Sequence, residues 1–107
     1  MMAALFSAQG RFTVPPTHPA FAGHFPGQPM LPGVVLLDLI QAEADFAAHG
    51  LILTGIAQVK FLRPVLPGEA VTFALAEQAG RRLEIVAATP AGPVLRGQLL
   101  LGDRARS

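Results

Sequence analysis

The 107 residues amount to one domain. Only 14% of them are charged, against about 25% in a typical soluble protein. A small monomer normally covers its surface with charge, so the shortage argues that some surface is buried against a second copy. With no cysteine and a net charge of +1, the chain has no disulfide or thiolate metal site and lacks the concentrated basic face that nucleic acid requires. Met1 to Gly10 hold no basic residue, so no secretion signal is expected. No apolar run approaches the ~18 residues of a membrane span. The expectation is a soluble, cytoplasmic protein.

Residues 5–14 alternate: Phe6, Ala8, Phe12 and Val14 point one way, Leu5, Ser7, Gln9, Arg11 and Thr13 the other. That predicts a strand with one buried face, ended by Pro15 and Pro16, which cannot donate to a ladder. From Pro15 to Gly33 the chain is rich in proline and glycine (Pro19, Gly23, Pro26, Gly27, Pro29, Pro32). A loop this long inside a small domain is usually functional, and its prolines stiffen it.

A helix follows, opened by Pro32 and closed by His49, which complements the dipole, and Gly50, which takes the left-handed conformation. Val34, Val35, Leu36, Leu37, Leu39 and Ile40 leave no polar face over its first two turns. Such a helix is expected to be buried on all sides, with exposure only towards Glu43 and Asp45. The remainder reads as an antiparallel meander. Ala57, Val59 and Phe61 alternate, then Val71, Phe73 and Leu75, then Leu83, Ile85 and Ala87, then Leu95, Leu99 and Leu101. Turns are predicted at Pro64–Gly68, Gly80 and Pro90–Pro93, and residues 102–107 read as a polar tail. One helix between an early strand and a later meander implies a curved sheet wrapped around it, in one α+β domain over residues 1–107.

Asp38 lies inside the apolar part of the helix. Burying an ionised carboxylate is costly, so it should keep its proton or be satisfied by neighbours. A structural aspartate bonded to backbone is the alternative. His24 sits in Gly23-His24-Phe25-Pro26-Gly27, where a stiff loop can hold an imidazole at fixed geometry. A loop histidine by itself is as readily an exposed or packed side chain. His18 reads as turn chemistry and His49 as the helix end. No recognised ligand spacing joins His18, His24 and Asp38, so neither a metal nor a cofactor is expected. Gly33 stands where the first helical N–H groups lack partners and a glycine lets a ligand come close. A simple loop-to-helix junction is the other reading.

Together, His24-Phe25-Pro26-Gly27-Gln28-Pro29-Met30-Leu31-Pro32-Gly33-Val34 resembles the signature of the 3-hydroxyacyl-[acyl carrier protein] dehydratases, the FabA and FabZ enzymes and their relatives. Val59-Lys60-Phe61-Leu62-Arg63-Pro64-Val65-Leu66-Pro67-Gly68-Glu69 resembles the strand and turn after the helix in the same family. The likeness runs from about residue 17 to 75. It implies a hotdog fold, a long central helix wrapped by a curved antiparallel β-sheet, paired into homodimers or larger assemblies that share two active sites. By motif position it implies that His24 and Asp38 are the catalytic histidine and acid, the acid coming from the neighbouring subunit. It also implies that the Gly33 N–H binds the thioester carbonyl, flanked by Phe25 and Pro32 against the substrate.

Three departures stand out. Asp38 is aspartate, as in FabA-type enzymes, where FabZ-type enzymes have glutamate. Gln41 falls one residue before the family's glutamine. The segment before the first strand of the longer enzymes is missing, and the His18-to-His24 lead-in is similar to the compact ApeI-like dehydratases of aryl polyene pathways.

The implied activity is dehydration of a 3-hydroxyacyl thioester to the trans-2-enoyl thioester, with an acyl carrier protein as partner. Such carriers are acidic, so Lys60, Arg63, Arg81, Arg82 and Arg96 are candidates to dock one. The rivals are a hotdog thioesterase, which would leave the His24 loop without a purpose, and a non-catalytic subunit that binds acyl carriers or pairs with an active partner.

Overall fold

The computed structural model describes residues 5–21 and 29–104. Strand β1 (Ser7–Thr13) leads through a 3-10 turn (Pro19–Phe21) to helix α1 (Gly33–Glu43), and strands β2 (Leu51–Phe61), β3 (Ala70–Gln78), β4 (Arg82–Thr89) and β5 (Gly92–Asp103) follow. They form one antiparallel sheet in the order β1-β3-β4-β5-β2. Among the described residues one α-helix packs against one face of this sheet, the hotdog layout that the sequence leads one to expect.

The alternation read from the sequence sets the core. Val71, Phe73 and Leu75 of β3, Leu83, Ile85 and Ala87 of β4, and Leu95, Leu99 and Leu101 of β5 are all buried, and they pack with Leu36, Leu37 and Ile40 of α1. In β1 the half-buried Ala8, Gly10 and Phe12 alternate with exposed neighbours, and the Phe12 and Phe73 rings lie 6.1 Å apart.

The structure departs from expectation in several places. The strands are not one continuous meander: β3, β4 and β5 are, but β2 pairs with the far side of β5 and the chain then crosses the sheet to β3. Strand β2 also begins earlier, at Leu51, because its register slips between Leu53 and Gly55 and again between Ile56 and Gln58. At the second slip Ile56, Ala57 and Gln58 are all exposed, which breaks the in–out alternation, so only the stretch after it reads as a strand. Strand β5 continues to Asp103, so Gly102 and Asp103 are not tail.

The helix is shorter than expected. It ends at Glu43 because Asp45 takes a left-handed φ of 57°, a conformation that aspartate tolerates better than most residues. Gly50 is indeed left-handed, but it closes the turns after the helix. Nor is α1 buried on all sides. Only Leu36, Leu37 and Ile40 are buried, while Val34 is 68% exposed and Asp38 faces solvent.

Candidate functional site

Leu31 N donates to Val65 O at 2.9 Å, stitching the segment before the helix to the segment after β2. Pro32 stays extended, and its carbonyl accepts from Val35 N and Leu36 N, both at 3.1 Å. Helix α1 therefore starts on Gly33, beside the end of β2. Between them lies an apolar groove of about 620 Å³, walled by Met30, Pro32, Gly33, Val34, Phe61 and Arg63 among others.

Among the described residues, Phe61 is the tightest neighbour of Gly33. A Cβ on Gly33 would lie 2.5 Å from both Cε1 and Cζ of the ring, so only glycine admits the ring in this position. Phe61 is nonetheless 52% exposed. Phe61 did not stand out in the sequence as a site residue, although it lies in the second resembling stretch, and Arg63 stood out only as a candidate to dock the carrier. A contact between β2 and the helix start leaves no local signal in either segment.

Asp38 stands further along the same helix, one turn from Val34 and on the same exposed face. The burial expected around it is not found within one chain, because β2 and the sheet leave that face uncovered. Gly33 and Pro32 are thus together at the groove, and Asp38 is not brought to them by this chain alone. His24 and Phe25 lie outside the described residues.

The other polar candidates are occupied locally. His18 Nδ1 accepts from Ala20 N at 3.0 Å, the turn chemistry expected of it. His49 lies beyond the helix rather than at its end, with Nδ1 2.9 Å from Asp45 O and its ring edge-on to Phe6 at 5.1 Å. Gln41 Nε2 donates to Leu37 O at 3.2 Å. Among the described residues, no group of three or more metal-ligating side chains comes together, and no helix is long and apolar enough to cross a membrane.

The basic candidates separate. Arg81 Nη2 donates to Asp103 Oδ1 at 2.9 Å, and its Nη1 is 3.7 Å from Glu77 Oε2. Arg82 Nη1 donates to Gln98 Oε1 at 3.1 Å. Lys60 and Arg96 face each other across β2 and β5, with Glu84 lining the same outer hollow.

A family model described as ApeI-like, ApeI dehydratase, matches residues 4–89. The 3-hydroxyacyl-[acyl-carrier-protein] dehydratase FabZ of Symbiobacterium thermophilum is 31% identical over 97 residues, which cover 83% of this chain and 63% of that one. The chain spans less than two thirds of the length of the curated relatives it matches. Among solved structures, an uncharacterized protein from Erwinia carotovora subsp. atroseptica is similar at a TM-score of 0.79 and 29% identity, covering 96% of this chain and 88% of that one. The dehydratase heterocomplex ApeI:P from Xenorhabdus doucetiae contains a chain similar at a TM-score of 0.78 and 28% identity, covering 94% of this chain and 91% of that one.

Proposed function

Because the chain belongs to the ApeI-like dehydratase family, we propose that it removes water from a 3-hydroxyacyl thioester carried on an acyl carrier protein, leaving the trans-2-enoyl thioester. The observation that carries this reading is the seat of Gly33. It opens α1 on the wall of an apolar groove, and the first N–H groups of a helix have no partner within it. A thioester lying in that groove would find a donor for the charge that develops on its oxygen.

In this scheme His24 takes the α-proton, since imidazole titrates near neutrality. The electron pair moves towards the thioester carbonyl, whose oxygen accepts from Gly33 N–H. The C–O bond at the β-carbon then breaks, and Asp38 protonates the departing hydroxyl so that it leaves as water. Phe25 and Pro32 flank the acyl group. Return of the proton from His24 to Asp38 restores the starting state. No cofactor is called for by these steps.

A second subunit is part of the proposal. The face of α1 bearing Val34 and Asp38 is uncovered, and β2 is an eleven-residue edge strand with Ile56 58% exposed. Long apolar edges of this kind are normally paired or covered. Pairing with a second copy would deliver Asp38 to the partner's groove. A related chain could fill the same place, which the ApeI:P heterocomplex favours as the second reading.

For the carrier, Arg63 on the groove and the opposed Lys60 and Arg96 are the better docking candidates, because Arg81 is already held by two carboxylates. Like charges placed opposite each other on a sheet are unfavourable, and an acidic surface would relieve them.

Mass spectrometry of a 3-hydroxyacyl carrier protein after incubation tests the reading. Loss of one water supports it. A free carrier thiol would mean a thioesterase, and an unchanged substrate bound by the protein would mean a non-catalytic subunit.

A further inference from the structure

The dehydratase reading gives no part to Phe61, yet among the described residues its ring lies nearest to where a Cβ on Gly33 would stand. Its far edge points at the Gly33 Cα, near enough that a methyl group there would overlap three ring atoms. Phe61 pairs with Leu95 in the sheet register, and Leu95 faces the core. The ring therefore rises from the helix side of β2 into the groove. With half its surface exposed and the groove beside it, the ring has room to turn away from Gly33 but not to pass through it.

One covalent bond separates the Gly33 Cα from the N–H that would hold the thioester oxygen. A carbonyl accepting from that N–H within the groove would place its own carbon, and the α-carbon attached to it, among the residues that wall the groove, Phe61 included. A hydrogen on the α-carbon fits beside an aromatic edge; a methyl group there needs space that the ring already fills. We infer that Phe61 is a specificity-determining residue that restricts the groove to thioesters unbranched at the α-carbon. The inference rests on the dehydratase reading for the pose of the substrate, and on the structure for the ring.

The test compares 3-hydroxybutyryl-pantetheine with 2-methyl-3-hydroxybutyryl-pantetheine, for the wild type and for Phe61→Leu and Phe61→Ala. One methyl group in an apolar pocket is worth about 10–200-fold in kcat/KM. The wild type should prefer the unbranched substrate by a factor in that range. Phe61→Leu should lower the preference, and Phe61→Ala should bring it to within a few-fold. A half-exposed ring is not needed to hold the core, so both variants should unfold at close to the wild-type temperature.

Binding of the corresponding products, but-2-enoyl- and 2-methylbut-2-enoyl-pantetheine, is measured in parallel by titration calorimetry. If neither substrate turns over but the binding preference follows residue 61, dehydration is the wrong activity and the role of Phe61 stands. Equal treatment of the two substrates by the wild type, or an unchanged preference in a folded Phe61→Ala variant, overturns the inference while leaving dehydration intact. Neither binding nor turnover overturns both.

Discussion

On the face turned to the helix, strands β3, β4 and β5 leave almost nothing open. Phe73, Leu75, Ile85, Ala87, Leu95, Leu99 and Leu101 are buried there, with Val71, Leu83 and Val94 fully enclosed. The turn end of the β3–β4 hairpin is tied down as well: Arg81 reaches Asp103, and Glu77 Oε1 accepts from Phe6 N at 3.0 Å. Around α1 and β2 the same chain is unfinished. Val34, Ile56 and Phe61 stand more than half exposed, Asp38 faces solvent, and the long edge of β2 has no neighbour among the described residues. The contrast separates what holds the fold from what is offered to other molecules. Surface that costs free energy when left wet is retained where a substrate and a second subunit would cover it.

Substitutions on the two sides should therefore behave oppositely, and the largest effect belongs to the open side. His24→Ala and Asp38→Asn should each lower turnover by about 10²–10⁴-fold, the usual contribution of a general base or acid. Their thermal unfolding should stay close to that of the wild type. A folded variant of either kind that keeps near-normal turnover would remove that residue from the mechanism.

On the closed side, Ile85→Ala should cost about 2–5 kcal/mol in denaturant unfolding, because the cavity is left in a packed core. Val34→Asp makes the counterpart. It should barely alter the fold of the single chain but should shift sedimentation towards monomer, since it places a charge where the subunits are proposed to meet. If Val34→Asp remains a dimer, subunits do not pair through this face of α1.

How much of this was legible beforehand follows the same division. The closed side was readable because its alternation is uninterrupted: Phe73, Ile85 and Leu99 announce their buried faces by spacing alone. The open side was misread for physical reasons. Val34 and Asp38 lie in an apolar stretch that reads as interior, whereas a helix face reserved for another subunit carries the same residues as one reserved for the core. The slips in β2 hid its first half, and strand order could not be inferred because a crossover leaves no mark on local pattern. Asp45 ended the helix where a glycine would have been the expected stop. Of the site, Gly33 at the helix start was legible from Pro32-Gly33 and the apolar run after it. The Phe61 ring against it was not.

Smaller effects should sharpen the comparison further. The apparent KM for a carrier-bound substrate should rise with salt, because exposed charge pairs weaken once the screening length falls to about 8 Å and below. A short pantetheine substrate has no protein surface to dock, so its KM should rise less. Equal salt sensitivity would remove the case for an acidic carrier at Lys60, Arg63 and Arg96. Smallest of all, Arg81→Ala should cost about 1 kcal/mol, as Asp103 is largely exposed and the enclosed Glu77 keeps its bond from Phe6 N. A larger loss, measured by chemical denaturation, would mean that the hairpin tie matters more than its solvent exposure implies.

The claim that the open face is completed by another subunit can be tested by subunit exchange. His24→Ala and Asp38→Asn proteins, each inactive alone, are mixed under conditions that let subunits re-pair, and dehydration of a 3-hydroxyacyl carrier protein is followed. With the acid donated across a two-fold interface, half of the dimers carry one intact site out of two, and about a quarter of wild-type activity should return. Mixed dimers that form, as shown by differently tagged subunits purifying together, yet remain inactive would contradict a site shared between subunits.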